Sequence, residues 1–186
     1  MTLDPFFFGY GSLVNRATHI YTPAHRARLA GWRRAWRHTQ HREGPFLTAV
    51  PCPASVIEGL IAPVPGADWL ALDAREEGYD RLPVGPGLTV ETVTGIETQI
   101  YSVPDRSVTG TGGPILLSYL DVVLQGYLRE FGEEGVRRFM DTTDGWDTPV
   151  LNDRAQPRYP RHQRLSAEET AMVDAELFRL DVTVLR

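Results

Sequence analysis

Residues 5–13 read Pro5-Phe6-Phe7-Phe8-Gly9-Tyr10-Gly11-Ser12-Leu13. Three successive phenylalanines behind a proline read as a short buried strand, and the glycines on either side of Tyr10 end it in a tight turn. Glycines let the backbone aim successive N–H groups at one spot, a nest for a carboxylate or phosphate. The pattern is not GxGxxG, because Val14 stands at the third glycine position, and it is not a GxSxG nucleophile elbow. Taken alone, such a turn is more often structural than functional.

Outward from this turn, residues 13–28 read as a weakly helical or irregular stretch. Residues 28–39 place Leu29, Trp32 and Trp36 among arginines at a spacing that fits either a helix or a strand with arginine on its wet face. Residues 46–50 and 56–64 read as strands, with Pro51-Cys52-Pro53 in the turn between them. Pro65 to Asp68 form a turn and N-cap for a helix over 69–79. Residues 88–93 and 97–103 read as a further pair of strands, and 109–114 as a glycine-rich loop. A helical pattern covers 115–131, with apolar residues at 116, 120, 123, 124, 127 and 128, and a second short helix covers 133–140. Residues 141–163 read as an ordered loop. Ser166, with Glu168 and Glu169 in the first turn, caps a last helix running to about Arg179. Strands first and helices later predict an α+β fold. One domain over 1–186 is expected, with 141–186 a C-terminal extension packed on it.

Composition narrows the chemistry. The chain has 186 residues, 42% of them hydrophobic, enough to bury a core without staples. Cys52 is the only cysteine, which excludes an intramolecular disulfide and any multi-cysteine zinc or iron–sulfur site. All 19 basic residues are arginine. A lysine Schiff base, a Walker A lysine and a Ser–Lys dyad are therefore excluded in this chain. No apolar run approaches the ~18 residues of a membrane span. The first eight residues lack a basic start, so a cytoplasmic protein is expected.

Three further features bear on function. Glu76 and Glu77 are adjacent, so on a helix one can face a cleft while the other faces water; a buried carboxylate with a raised pKa suits a general base. Solvated i,i+4 pairing at a helix end is the plainer reading. His38 and His41, with His19 and His25 upstream, are a weak start for a metal site, with no HExxH and no carboxylate cluster to support it; no metal is expected. Residues 28–42 interleave Arg33, Arg34 and Arg37 with Trp32 and Trp36, as single-strand nucleic-acid binders do. The net charge of −5 weighs against that use. The expectation is that both tryptophans are largely buried in the core and most of the arginines between them are solvated.

Phe8-Gly9-Tyr10-Gly11-Ser12-Leu13, Leu72-Asp73-Ala74-Arg75-Glu76 with Tyr79 and Arg81, and Pro114 to Tyr127 with Tyr119-Leu120 and Leu124-Gln125-Gly126 follow one another in an order and spacing that resembles the γ-glutamylcyclotransferase-like family. They are similar to its YGS loop, its LDxxE helix and its Pro-x-x-x-Tyr-Leu helix; Gly31-Trp32-Arg33-Arg34 is similar to its glycine–aromatic–arginine strand. The likeness covers residues 6–128. Many members carry Asn directly after the serine, where this chain has Leu13; Leu is similar to the glutathione-degrading branch, which continues with Trp where this chain has Asn15.

The resemblance implies a small mixed β-barrel flanked by helices, with no metal or organic cofactor. It implies cleavage of a small γ-glutamyl substrate to 5-oxoproline and a released amine or amino acid, with no nucleic-acid or membrane partner. Its register selects Glu76 as the base. On this reading Gly11, Ser12 and Leu13 hold the substrate's carboxylate or oxyanion through backbone N–H groups, Tyr10 walls the pocket, and Tyr119 hydrogen-bonds Glu76 or the substrate. The alternative is a non-catalytic or nucleic-acid-binding protein on the same barrel, using residues 28–42.

Overall fold

The computed structural model describes residues 4–91 and 95–186, so the end of the strand expected over 88–93 lies outside the described residues. Six strands, β1 (Phe6–Gly9), β2 (His25–Thr39), β3 (Arg42–Pro63), β4 (Asp80–Pro83), β5 (Leu88–Val90) and β6 (Thr98–Ser102), form a sheet in the order β4-β6-β1-β3-β2-β5. β1 is antiparallel to β3 and parallel to β6, so the sheet is mixed. It curls into a half-barrel, with β4 and β5 at its two ends. The two strands expected over 88–93 and 97–103 both form, and they lie apart in the sheet: β5 pairs with β2, and β6 with β1 and β4. Among the shorter strands, β7 (Val108–Thr109) and β9 (Thr143–Asp144) attach to β2, while β8 (Ile115–Leu116) and β11 (Val184–Leu185) flank β10 (Val150–Leu151).

The sheet is dominated by the β2–β3 hairpin, whose register joins Thr39 to Arg42 across a turn at Gln40 and His41. Early in β2 the burial alternates, with Ala27 and Leu29 inside and Arg26 and Arg28 outside. Beyond Gly31 the alternation is lost: Arg34, Ala35 and Trp36 are all buried. β9 pairs alongside this stretch at Arg34 and Ala35, and Phe139 of the long helix packs on the Arg34 guanidinium. A segment enclosed on several sides has no wet face to set a period, which is why its spacing alone did not distinguish strand from helix.

No turn interrupts β3 at Pro51-Cys52-Pro53. The pairing runs Ala30↔Val56 and then Trp32↔Pro51, so Cys52 to Ser55 bulge out opposite Gly31, which takes a φ of 85°. Pro53 is tolerated within this bulge because its missing donor has no ladder partner there.

Three α-helices complete the fold. The first, α1 (Leu70–Arg75), is shorter than the expected 69–79. The long α2 (Leu117–Asp141) is broken at Gly132 (φ 69°, ψ −173°), so the two helices read from sequence meet at that glycine. In α3 (Ala167–Arg179) both halves of the capping box form: Ser166 Oγ accepts from the Glu169 amide at 3.1 Å, and Glu169 Oε2 accepts from the Ser166 amide at 2.9 Å. Val150, Val173, Leu177 and Val182 from the C-terminal segment are buried in the same apolar cluster as Phe7, Leu60 and Leu124. Among the described residues, no helix is long and apolar enough to cross a membrane.

Candidate active site

β1 delivers the chain to the turn at Gly9. Tyr10 turns inward, 6% exposed, and its hydroxyl donates to the Tyr101 carbonyl at 2.5 Å. A single 3-10 turn follows at Ser12–Val14, in which the Val14 amide donates to Gly11 O at 3.0 Å and the Asn15 amide to Ser12 O at 3.1 Å. The amides of Gly11, Ser12 and Leu13 precede these bonds and are not consumed by the turn. Asn15 staples the turn to α2: its Nδ2 donates to Val122 O and Gln125 Oε1, both at 3.0 Å. Gly126 permits this approach, since a β-carbon there would lie 2.7 Å from the Asn15 nitrogen.

α1 stops one residue short of Glu76, which sits at the helix C-cap with its amide still donating to Leu72 O at 3.0 Å. Gly78, at φ +94°, then turns the chain into β4. The Glu76 carboxylate lies 3.3 Å from Arg75 Nε. Arg75 also donates to Thr18 O at 2.8 Å and to Ser12 Oγ at 3.3 Å. One guanidinium thereby ties the glutamate to the glycine turn.

The six residues expected at the site, Tyr10, Gly11, Ser12, Leu13, Glu76 and Tyr119, all line one narrow crevice of about 30 Å3. Tyr119 hangs its hydroxyl over Gly11, 2.8 Å from where a β-carbon would stand. Among the described residues it makes no hydrogen bond to Glu76, though the Glu76 charge acts on its phenol. Its ring is wedged edge-on between Trp36 and Tyr159, at centroid distances of 5.9 and 5.0 Å. Outside the crevice lies a vestibule of about 460 Å3 that shares Ser12, Glu76, Tyr79 and Tyr119 with it.

Burial pushes the Glu76 carboxyl above the usual carboxylate range, opposed by the positive charges of Arg75, Arg161 and Arg42. Its side chain is 16% exposed, enough to reach the vestibule. Burial likewise raises the phenols of Tyr10, Tyr79, Tyr101 and Tyr119, with the Glu76 charge adding to the rise at each. All four remain neutral hydrogen-bonding groups at neutral pH.

Sequence reasoning missed several lining residues. Tyr79 lines both spaces and donates to Leu47 O at 2.8 Å; its place three residues after Glu76 was a usable signal. Tyr101 lines the crevice and donates to Asp73 Oδ1. Arg42 and Arg161 line the vestibule and carry no local signal. The histidines diverge: His38 Nε2 lies 2.8 Å from Gly113 O, and His41 Nε2 lies 3.3 Å from Ser107 Oγ.

The arginine–tryptophan segment departs from expectation at Trp32 and, more sharply, at Arg34. Trp36 is 6% exposed, as anticipated; Trp32 is only half-buried against the core, and Arg34 is 1% exposed rather than solvated. Its guanidinium donates to the carbonyls of Tyr10 and Glu58 and the hydroxyls of Thr142 and Tyr127. These bonds replace the water a surface arginine would have.

No family model matches this sequence, and no curated protein matches it. Solved structures do. A gamma-glutamyl cyclotransferase superposes with a TM-score of 0.60 at 14% identity, over 92% of this chain and 99% of its own. An uncharacterised protein from Homo sapiens gives 0.61 at 15% identity, over 93% and 99%. YkqA from Bacillus subtilis gives 0.57 at 18%, over 76% of this chain and 56% of its own. At these identities the likeness is one of architecture, and it is nearly end to end in the first two: this chain has the γ-glutamyl cyclotransferase-like α+β fold.

Proposed function

We propose that the protein converts a γ-glutamyl compound into 5-oxoproline and a free amine or amino acid. The observation that carries this reading is the crevice in which the Glu76 carboxylate faces the Gly11-Ser12-Leu13 turn. The substrate's own α-amine attacks its γ-carbonyl carbon. A five-membered ring closes and the bond from that carbon to the leaving nitrogen breaks. Both reacting groups belong to one molecule, so holding a curled conformer supplies much of the acceleration. Glu76 takes the proton that the attacking nitrogen sheds and returns it to the leaving nitrogen, so no water is consumed. Its raised pKa matches it to an α-amine better than an ordinary glutamate would be. The turn amides hold the developing oxyanion or the substrate carboxylate, while Ser12 binds and is not a nucleophile. Tyr10 and Tyr119 wall the ring-closing conformer.

The test is 5-oxoproline release from a panel of γ-glutamyl amino acids, γ-glutamyl peptides and γ-glutamylamines. Release from at least one of them, abolished in Glu76→Gln, is the expected result. No release from any member of the panel overturns the reading.

A further inference from the structure

We propose that Arg42 and Arg161 select a γ-glutamyl compound whose leaving amine carries a carboxylate, as an α-amino acid or peptide does, over one whose leaving amine is uncharged. This rests on the cyclotransferase reading above.

Three arginines line the vestibule outside the crevice, Arg42, Arg75 and Arg161. Arg75 is committed, to Glu76, Ser12 and Thr18. The other two are not matched by acids. Arg42 is held in place by neutral groups: it donates to the carbonyls of Gly44 (3.3 Å) and Pro45 (2.6 Å) and lies 3.6 Å over the Phe46 ring. Among the described residues, the Arg161 guanidinium has no hydrogen-bond or ion-pair partner.

Yet the backbone that carries Arg161 is pinned. Asp153, 6% exposed, accepts from the Ser118 amide (2.7 Å), the Ser118 hydroxyl (2.6 Å) and the Arg158 amide (2.9 Å). Tyr159 then packs edge-on to Tyr119. Two cations without an ion-pair partner among the described residues thus reach one cavity from parts of the chain 119 residues apart, and both are close enough to act on the Glu76 charge. The acids lining that cavity are Glu76, occupied by Arg75 and catalysis, and Glu77. A cavity of this balance favours an anion. With the ring-forming half's own carboxylate held by the turn amides, the second of the two uses given them above, that anion is already accounted for. The anion left for the vestibule is one on the departing half, and a guanidinium is the side chain suited to grip it.

The experiment compares γ-glutamyl-L-alanine with γ-glutamylethylamide, which differ only by the carboxylate on the leaving half. In the unaltered protein kcat/KM should favour the alanine compound by roughly 10-fold or more, mostly through KM, and the preference should shrink as salt rises. In the Arg42→Gln, Arg161→Gln double variant the ratio of the two kcat/KM values should fall toward one. A ratio of one or below in the unaltered protein overturns the proposal, as does an unchanged ratio in the double variant. Equal losses on both compounds would put the arginines on the glutamyl carboxylate and also overturn it. Each of these outcomes leaves the cyclotransferase reading standing. No 5-oxoproline from either compound or from the wider panel removes both.

Discussion

The Arg34 guanidinium lies 2.5 Å from the Tyr127 hydroxyl, and both bind the main-chain carbonyl of Tyr10, at 3.2 and 2.9 Å. The two also meet at the Glu58 carbonyl, each at 2.6 Å. Carbonyl and N–H point to opposite sides of a trans peptide. Pinning the Tyr10 oxygen therefore turns the Gly11 amide to the side away from Arg34 and Tyr127. The guanidinium also lies against the Tyr127 and Phe139 rings, 5.0 and 4.7 Å from their centroids, and those two rings touch each other at a centroid distance of 4.8 Å. Burial pushes the Tyr127 phenol up to about 12, so its proton stays available for a carbonyl.

Arg34→Met should lower stability by about 1–3 kcal/mol, because it strips donors from buried carbonyls that water cannot reach. Tyr127→Phe should fall in the lower part of that range, since Arg34 still serves both carbonyls. The measurement is urea unfolding, read as a shift in midpoint at constant slope. A variant Arg34→Met as stable as the parent would mean the network contributes nothing net.

Glu76→Gln should cut turnover by at least ~10²-fold while leaving the fold intact, the scale of losing a general base. Glu77 is exposed and lines the vestibule rather than the crevice. Glu77→Gln should stay within about 3-fold, since surface charges that do not touch the reacting atoms matter little. Steady-state kinetics on whichever compound the parent cyclises decides the pair. A large loss in Glu77→Gln alone would move the base by one residue.

The raised pKa of Glu76 has a sign that can be checked on stability as well as activity. Burial disfavours its ionised form, so the folded chain holds this proton to a higher pH than the unfolded chain does. Its contribution to stability is full below the unfolded carboxyl pKa, ~4.3, and is lost as pH rises through the folded value. Activity should do the reverse, appearing as the carboxylate forms, with an acid limb above the ordinary glutamate range. Glu76→Gln cannot ionise. It should melt higher than the parent at pH 7, and the difference should vanish near pH 4. Thermal scans across that range test it; a Glu76→Gln protein that melts lower at pH 7 would show the carboxylate to be a net stabiliser through Arg75.

How far the sequence speaks depends on how local each cause is. The phenylalanine strand with its glycine turn, the two helical segments meeting at Gly132 and the Ser166 capping box are set by neighbours within a few residues. Each was legible as such. The order of three short motifs pointed to the glycine turn, Glu76 and Tyr119, and those residues do line one crevice. The extent of β2 and β3 was not legible, because enclosure on several sides erases the period that marks a strand. Nor was the path of β3 through Pro53, where the register against β2 leaves Cys52 to Ser55 unpaired. Arg34 is the sharpest case. An arginine beside tryptophans on a strand belongs in water unless distant groups replace the water. Here the carbonyls and hydroxyls that do so come from residues 10, 58, 127 and 142. Their convergence, like that of Arg42 and Arg161 on one vestibule, was decided by tertiary structure alone, because the desolvation of a cation is settled by what the fold brings around it.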